Sequence, residues 1–457
     1  MPQNNLDEAI YHCQTNDSGN ADALALLFRD RLRYVRGVGW HVWNGNYWKP
    51  DPGECDAMQI IRQLAVRRQD AVRNHSNVMT KDMKELLAAA CGLGNTSKAA
   101  SCLKMAEGAS PFKIELEDIN NYPMLLVCPN GTVDLESMHL HPSNPSHMIT
   151  NCTGVNYNPN AEAPLWKTFL EDVFTTKIGF PDYQFIKWFQ KLLGYTLTDN
   201  IGERSMYLCF GEGANGKSTL LSIIDHVLGS YSSTAPFAHF LESKSELTND
   251  TARLKGKRFI SASESGPGKY MDEVKIKMMT GGDKITCRFL FKEFFSYRPT
   301  YKIFLSCNDK PRLRGTDNAI WDRMKIIPFN ERFKGEDRDL KLYEKLAEES
   351  EGILAWMVDG CMDWQVSGLE DCATVREHTN VYRNEEDALG RFLNEKTKKK
   401  MGAFTTVEEL WKAYSTWAKM NGENLIVSTL SLGHKMSQKG HDSTKPGNVR
   451  GYKDLEV

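Results

Sequence analysis

The segment GEGANGKST, Gly211 to Thr219, places three glycines, a lysine and two hydroxyls where they can handle phosphate. Backbone amides of Gly211, Glu212, Gly213, Ala214, Asn215 and Gly216 can turn inward around phosphate oxygens, because glycine accepts the required dihedrals. Lys217 can contact the β- and γ-phosphates, and Ser218, with Thr219 beside it, can hold Mg²⁺. The chemistry so encoded is phosphoryl transfer from ATP, with ATP and Mg²⁺ as the cofactors expected. A bare GxxxxGK[ST] string also arises by chance, so its flanks decide. MYLCF (Met206 to Phe210) reads as a buried strand entering the loop, and TLLSIIDHVL reads as a helix leaving it, stopped by Gly229.

Phosphoryl transfer also needs a carboxylate near the metal and the attacking water. RFISASES supplies Glu264, just past a short apolar strand; taken alone it could equally be a surface glutamate. KIFLSCNDKP ends a further strand at Asn308, where an amide could sense the γ-phosphate, although Asn before Asp-Lys-Pro is also a common turn former. In DNAIWDRMKIIPF, Arg323 stands between a helix end and a strand, able to reach an anion across a subunit boundary or simply to pair with Asp322.

These motifs lie in residues 201–335, where short apolar runs alternate with glycine-rich and basic loops, the pattern of an α/β sheet domain. Net charge is only −2, yet Thr251 to Lys325 carries 17 Lys+Arg against 8 Asp+Glu. That excess suits a phosphate-facing surface or, as readily, a solvated and salt-bridged face. Within it, CRFLFKEFFSYRPTYK reads from residues alone as two amphipathic strands with Phe289, Phe291, Phe294 and Phe295 mostly in the core.

Upstream, Trp40, Trp43 and Trp48 flank a turn at Asn44-Gly45 and predict a hairpin; a second pair of strands is expected around Pro129-Asn130-Gly131. IELEDI would set Glu115 and Glu117 on one face of a strand, but no second acidic strand or histidine follows, which argues against a polymerase-type carboxylate site. Leu165, Phe169 and Val173, then Phe185, Trp188, Phe189, Leu192 and Leu193, predict two helices broken near Gly179-Phe180-Pro181. Downstream, Thr406 and Glu409 form a capping box ahead of Leu410, Trp411, Tyr414 and Trp417; a second helix runs from about Ser428 to Gln438. A basic hairpin around Pro446-Gly447-Asn448 would complete a winged-helix-like domain. Eleven scattered cysteines without zinc-site spacing read as reduced structural thiols, and no stretch is long and apolar enough to span a bilayer. A cytoplasmic protein with no membrane partner is expected.

Together GEGANGKST, RFISASES, MMTGGDKITCRFLFK and FLSCNDKP resemble, in order and spacing, the motifs of superfamily 3 helicases, specifically the helicase part of phage and plasmid primases and the poxvirus primase-helicase. DSGNADAL, GWHVWNGNYW, NGTVDL and GYTLT resemble the module that precedes this helicase. The resemblance implies an α/β fold with five parts: an α+β N-terminal module (1–160), a helical connector (161–200), an AAA+-like P-loop ATPase core (201–335), a helical lid (336–384) and a winged-helix-like domain (385–457). It further implies a hexameric ring in which Lys217 and Ser218 hold nucleotide and metal, Glu264 activates water, Asn308 senses and Arg323 reaches into the neighbour's site. Ser263 stands where two adjacent acids are often found, which weakens metal contact through Glu264. Arg288, Phe291 and Lys292 would meet DNA in the pore.

The expectation is an ATP-dependent replicative DNA helicase on single-stranded or forked DNA, moving 3′ to 5′ by resemblance alone, with a separate primase or polymerase as a candidate partner. By the same resemblance the chain is expected to begin too late to hold the primase of many relatives, so no primase activity is expected, and Asp337-Arg338-Asp339, its one Asp-x-Asp triplet, reads as a solvated helix start. Two other readings stand: an ATP-stabilised replication initiator or scaffold, and a small-molecule P-loop kinase, which would add a lid and substrate arginines in a shorter chain.

Overall fold

Strands buried on both faces are mostly apolar, and four such segments, with a short polar strand at one edge, assemble into a parallel sheet. They are β1 (Met206–Phe210), β2 (Ser232–Thr234), β3 (Phe259–Ser263), β4 (Lys302–Cys307) and β5 (Met324–Pro328), in the spatial order β5-β1-β4-β3-β2. Phe210 pairs with Cys307 on one side and Pro328 on the other, and Ser306 pairs with Ser263. The register therefore brings the C-terminal ends of β1, β3 and β4 to one edge of the sheet. This computed structural model describes residues 3–76, 78–243, 248–263, 269–290, 293–313, 318–335, 338–423, 425–426 and 428–457.

A helical layer covers the sheet. The two helices anticipated from apolar spacing are α1 (Pro164–Val173) and α2 (Tyr183–Thr196), separated by a turn that a Thr175–Pro181 bridge closes. The helix after the glycine-rich loop is α3 (Lys217–Leu228), and α4 (Leu342–Glu348), α5 (Ser350–Ser367) and α6 (Ala373–Glu386) follow the sheet. Gly194 on α2 meets the backbone of Cys361, and Gly360 on α5 meets the carbonyl of Gln190, so closely that neither position has room for a Cβ. Two facing glycines let these helices lie backbone to backbone, and their apolar residues join one core with β1 and α3.

The tryptophan hairpin forms from Gly39–Trp43 and Trp48–Pro50 inside a four-stranded sheet, with Trp40 and Trp48 buried. IELEDI is no continuous strand: Ile114 ends a two-residue strand, and Leu116–Asp118 is a 3-10 turn capped by Glu115. The pair Leu125–Cys128 and Gly131–Asp134 forms as anticipated, and Leu126, Val127, Cys128 and Val133 bury into the core of the five-stranded sheet.

Near the C-terminus the Thr406/Glu409 capping box starts helix Val407–Met420, and helix Thr429–Gln438 follows. The expected basic hairpin is a correction. Strand Gly451–Glu456 takes Lys398–Thr406 as its ladder partner, and the residues before Pro446 add only the Thr444–Gly451 bridge across a 3-10 turn at Pro446–Asn448. The distant partner wins because it offers a longer ladder and lets Tyr452 and Leu455 bury beside Phe392 and Leu432.

Candidate functional site

The loop from Gly211 to Gly216 is shaped by contacts as much as by its own dihedrals. Phe329, just after β5, donates its N–H to Phe210 O at 2.8 Å, and its carbonyl lies where a Cβ on Gly211 would have to be. Ala214 (φ 61°) and Gly216 (φ 86°) are both left-handed, which turns successive amides toward the loop's interior. Phe333 N donates to Ala214 O at 2.8 Å and pins the outer side. Gly216 then caps α3, adding the positive end of a helix dipole.

Asn215 braces this loop from within. It is 3% exposed; Nδ2 donates to Phe329 O at 3.3 Å and Oδ1 accepts from Lys217 N at 3.4 Å. Lys217 is 4% exposed, and its Nζ donates to Gly211 O, to Glu212 O at 3.3 Å and to Asn308 Oδ1 at 3.2 Å. Burial lowers the ammonium's pKa below its ordinary value, so an arriving anion would favour the charged form. Ser218 is exposed beside it, a hard oxygen donor of the kind Mg²⁺ prefers. Among the described residues no cluster of three or more His, Cys, Asp or Glu suits a metal ion.

A cavity of about 500 Å³ opens on the loop, walled by Leu165 and Phe169 of α1, Phe333, and Leu342 and Tyr343 of α4, with Ala214 to Thr219 as its floor. A phosphate floor beneath apolar and aromatic walls suits a nucleotide. Another cavity of about 500 Å³ lies in the N-terminal module, lined by Glu54, Lys104 and Glu107.

The structure brings Lys217 and Asn308 together and sets Ser218 beside them. Glu264 lies outside the described residues; β3, which leads to it, ends at Ser263, level with Ser306 of β4. Arg323 precedes β5, at the opposite edge of the sheet, a strand length of roughly 16 Å from the loop. Its Nη1 donates to Ala319 O at 2.6 Å, and its Nε is buried without a hydrogen-bond partner among the described residues.

The stretch from Cys287 to Lys302 begins in a short antiparallel hairpin, Ile285–Cys287 against Phe295–Tyr297. Arg288 is exposed with its guanidinium 4.6 Å over the Phe294 ring; Phe291 and Lys292 lie outside the described residues. Phe289 and Phe295 pack on the core, but Phe294 is 58% exposed, so the expectation that it is a core residue is corrected.

The basic excess of Thr251 to Lys325 is partly internal, which sequence reasoning missed. Arg258 and Lys302 are each 2% exposed. Arg258 pairs with Asp199 at 2.5 Å and donates to the carbonyls of Leu197 and Leu125, while Lys302 donates to Thr198 O and lies on the Tyr195 ring. Lys255 and Lys257 donate to Leu116 O and Ser230 O. The available signal was Lys302 inside the apolar run YKIFL. Asp339 accepts from Lys341 N and pairs with Lys345 at a helix start; Asp337 lies outside the described residues.

Residues 21–175 match a family described as D5 N terminal like, and residues 209–323 match a family of unknown function, DUF5906. A protein of Acanthamoeba polyphaga mimivirus, provisionally named helicase L207/L206, is 29% identical over 79% of this chain and 39% of its own length. The African swine fever virus protein provisionally named primase C962R (isolate Pig/Kenya/KEN-50/1950) is 23% identical over 78% of this chain and 40% of its own. The chain thus spans about two fifths of the length of these relatives. Among solved structures, the apo structure of the NrS-1 C terminal region aligns with a TM-score of 0.44 and 12% identity, covering 65% of this chain and 77% of that one. Among the described residues no helix is long and apolar enough to cross a membrane.

Proposed function

Because the chain belongs to the D5-like primase-helicase family, we propose that it is the ATP-driven helicase part of a replication protein, with residues 201–335 as an AAA+-like P-loop core of superfamily 3. The observation that carries this reading is the meeting of Lys217 Nζ and Asn308 Oδ1, 3.2 Å apart, at the edge where the sheet register gathers the ends of β1, β3 and β4. In a P-loop ATPase these are the phosphate-binding lysine and the polar sensor on the neighbouring strand. The strand order β5-β1-β4-β3-β2 supports the AAA+-like assignment. Residues 1–160 form the preceding module, 161–200 the connector, 336–384 the lid and 385–457 the winged-helix-like domain.

In the proposed reaction a water oxygen attacks the γ-phosphorus of ATP while the bond to the β–γ bridging oxygen breaks, and Glu264 takes the water's proton. Lys217 and the loop amides would hold the phosphates, and Ser218 would hold Mg²⁺, which would supply positive charge against that developing on them. Arg323 acts in trans: its distance from its own loop leaves a second copy's site as its target, as a hexameric ring would require. Arg288, Phe291 and Lys292 contact single-stranded DNA in the ring's pore, moving it 3′ to 5′.

Steady-state ATP hydrolysis with and without single-stranded DNA, beside displacement of a 3′-tailed duplex, tests this reading. Lys217→Ala should lower turnover at least about 100-fold, and Lys292→Ala should keep basal turnover yet lose DNA stimulation and displacement. Turnover in the wild type that ignores DNA would refute the motor.

A further inference from the structure

The two walls of the nucleotide cavity come from chain segments far apart in sequence, and one carboxylate ties them. On one side stands α1, whose Leu165 and Phe169 face the cavity; on the other stands α4, contributing Leu342 and Tyr343. Helix α1 begins without a cap of its own. Its N-cap residue is Ala163, which has no side-chain acceptor, and Pro164 follows at the first helical position. The amides exposed there would normally need a Ser, Thr, Asp or Asn partner. They find Glu349 instead: Oε1 accepts from Leu165 N at 3.0 Å and Oε2 from Trp166 N at 2.9 Å.

Glu349 is the single residue between α4 and α5. Its reach depends on Gly352, where a Cβ would overlap the carbonyl of Glu162 and come within 2.9 Å of Ala163 N. The Trp166 and Trp356 rings, 5.8 Å apart and edge to face, close the same junction. At its other end α1 presses on the loop itself, since a Cβ on Gly216 would meet Val173 Cγ2 at 2.9 Å and the Phe169 ring at 3.2 Å. One side chain thus sets α1 relative to α4, and α1 in turn bears on the glycine that starts α3.

We propose that Glu349 is a positioning residue for ATP: by capping α1 from the α4–α5 junction it holds both cavity walls and the phosphate loop in their nucleotide-binding arrangement, without touching the nucleotide. This rests on the ATPase reading above. Its action is on binding, because Asn308 follows β4 of the sheet, and the Lys217 ammonium is fixed by Gly211 O, Glu212 O and Asn308 Oδ1 whatever the cavity walls do.

The test uses the full chain and ATP itself. In Glu349→Ala, KM for ATP and the Kd from equilibrium titration should rise about tenfold, the cost of losing one well-made cap, while kcat at saturation stays within about twofold of wild type. Glu349→Gln keeps one acceptor oxygen and should fall between. Glu351→Ala, which removes only an exposed contact to Asn156 at 3.1 Å, should behave as wild type. Hydrogen exchange should quicken at Leu165 and Trp166 in the alanine variant. Wild-type KM in Glu349→Ala, or a fall in kcat with KM unchanged, overturns the proposal; should the alanine variant not fold, Glu349→Gln decides by the same criterion. ATP binding that is lost in Lys217→Ala but intact in Glu349→Ala sinks only this inference, whereas a wild type that binds no ATP sinks the ATPase reading and this with it.

Discussion

Lys217 and Asn308 are 91 residues apart in sequence and 3.2 Å apart in space, and the lysine is held among carbonyl and amide oxygens that a phosphate could replace. Other lysines of the same region serve the fold. Lys255 donates to Leu116 O at 3.2 Å, and burial pulls its ammonium down to about 8 from an ordinary 10.5. Below about pH 8 both folded and unfolded chains carry the proton and the cost of burying it is present in full. Between there and 10.5 the unfolded chain binds more protons, so this residue makes stability rise with pH across that window. Thermal unfolding followed through it should show a steeper rise in Tm for wild type than for Lys255→Met. Equal slopes would mean that the ammonium is better solvated than its surroundings indicate.

The helices α2 and α5 carry the sheet's outer layer, and their backbone contact depends on Gly194 and Gly360. A methyl group at Gly194 would overlap the Cys361 amide, which belongs to a helix backbone and cannot rotate away as a side chain would. Gly194→Ala should therefore destabilise the protein by about 3 kcal/mol, the upper end for overpacking. Denaturant unfolding measures it, and a loss below about 1 kcal/mol would show that the two helices slide apart cheaply.

Across the whole molecule, basic residues divide into those that join its parts and those that face outward. Arg258 lies at the foot of β3 and binds Asp199 together with carbonyls of Leu197 and Leu125, so it ties the 125–134 strands and the end of α2 to the sheet. Arg258→Met should cost about 3 kcal/mol, because Asp199 is left nearly buried and unpaired, and should leave affinity for single-stranded DNA unchanged in the folded protein. Arg288→Ala should do the reverse: unfolding stays at the wild-type midpoint, and the slope of log affinity against log salt falls by about 1 as one phosphate contact disappears. The opposite assignment of the two effects would place the nucleic-acid surface elsewhere.

What the sequence determined by itself is local. Strand, glycine-rich loop and helix are consecutive in Met206 to Leu228, so their order could be read directly, as could the Thr406/Glu409 cap and the helices flanking Gly179-Phe180-Pro181. Short-range steric and hydrogen-bonding rules act within a few residues and leave a readable pattern. Only the tertiary structure decided which distant segments meet. Lys398–Thr406 displaced the neighbouring residues as partner of the last strand, Arg258 and Lys302 turned inward to carbonyls from other segments, and Glu349 capped a helix that starts 185 residues earlier. A charge carries no mark of whether water or a buried carbonyl will receive it. That depends on the sheet order and on which backbones approach closely enough to exclude solvent.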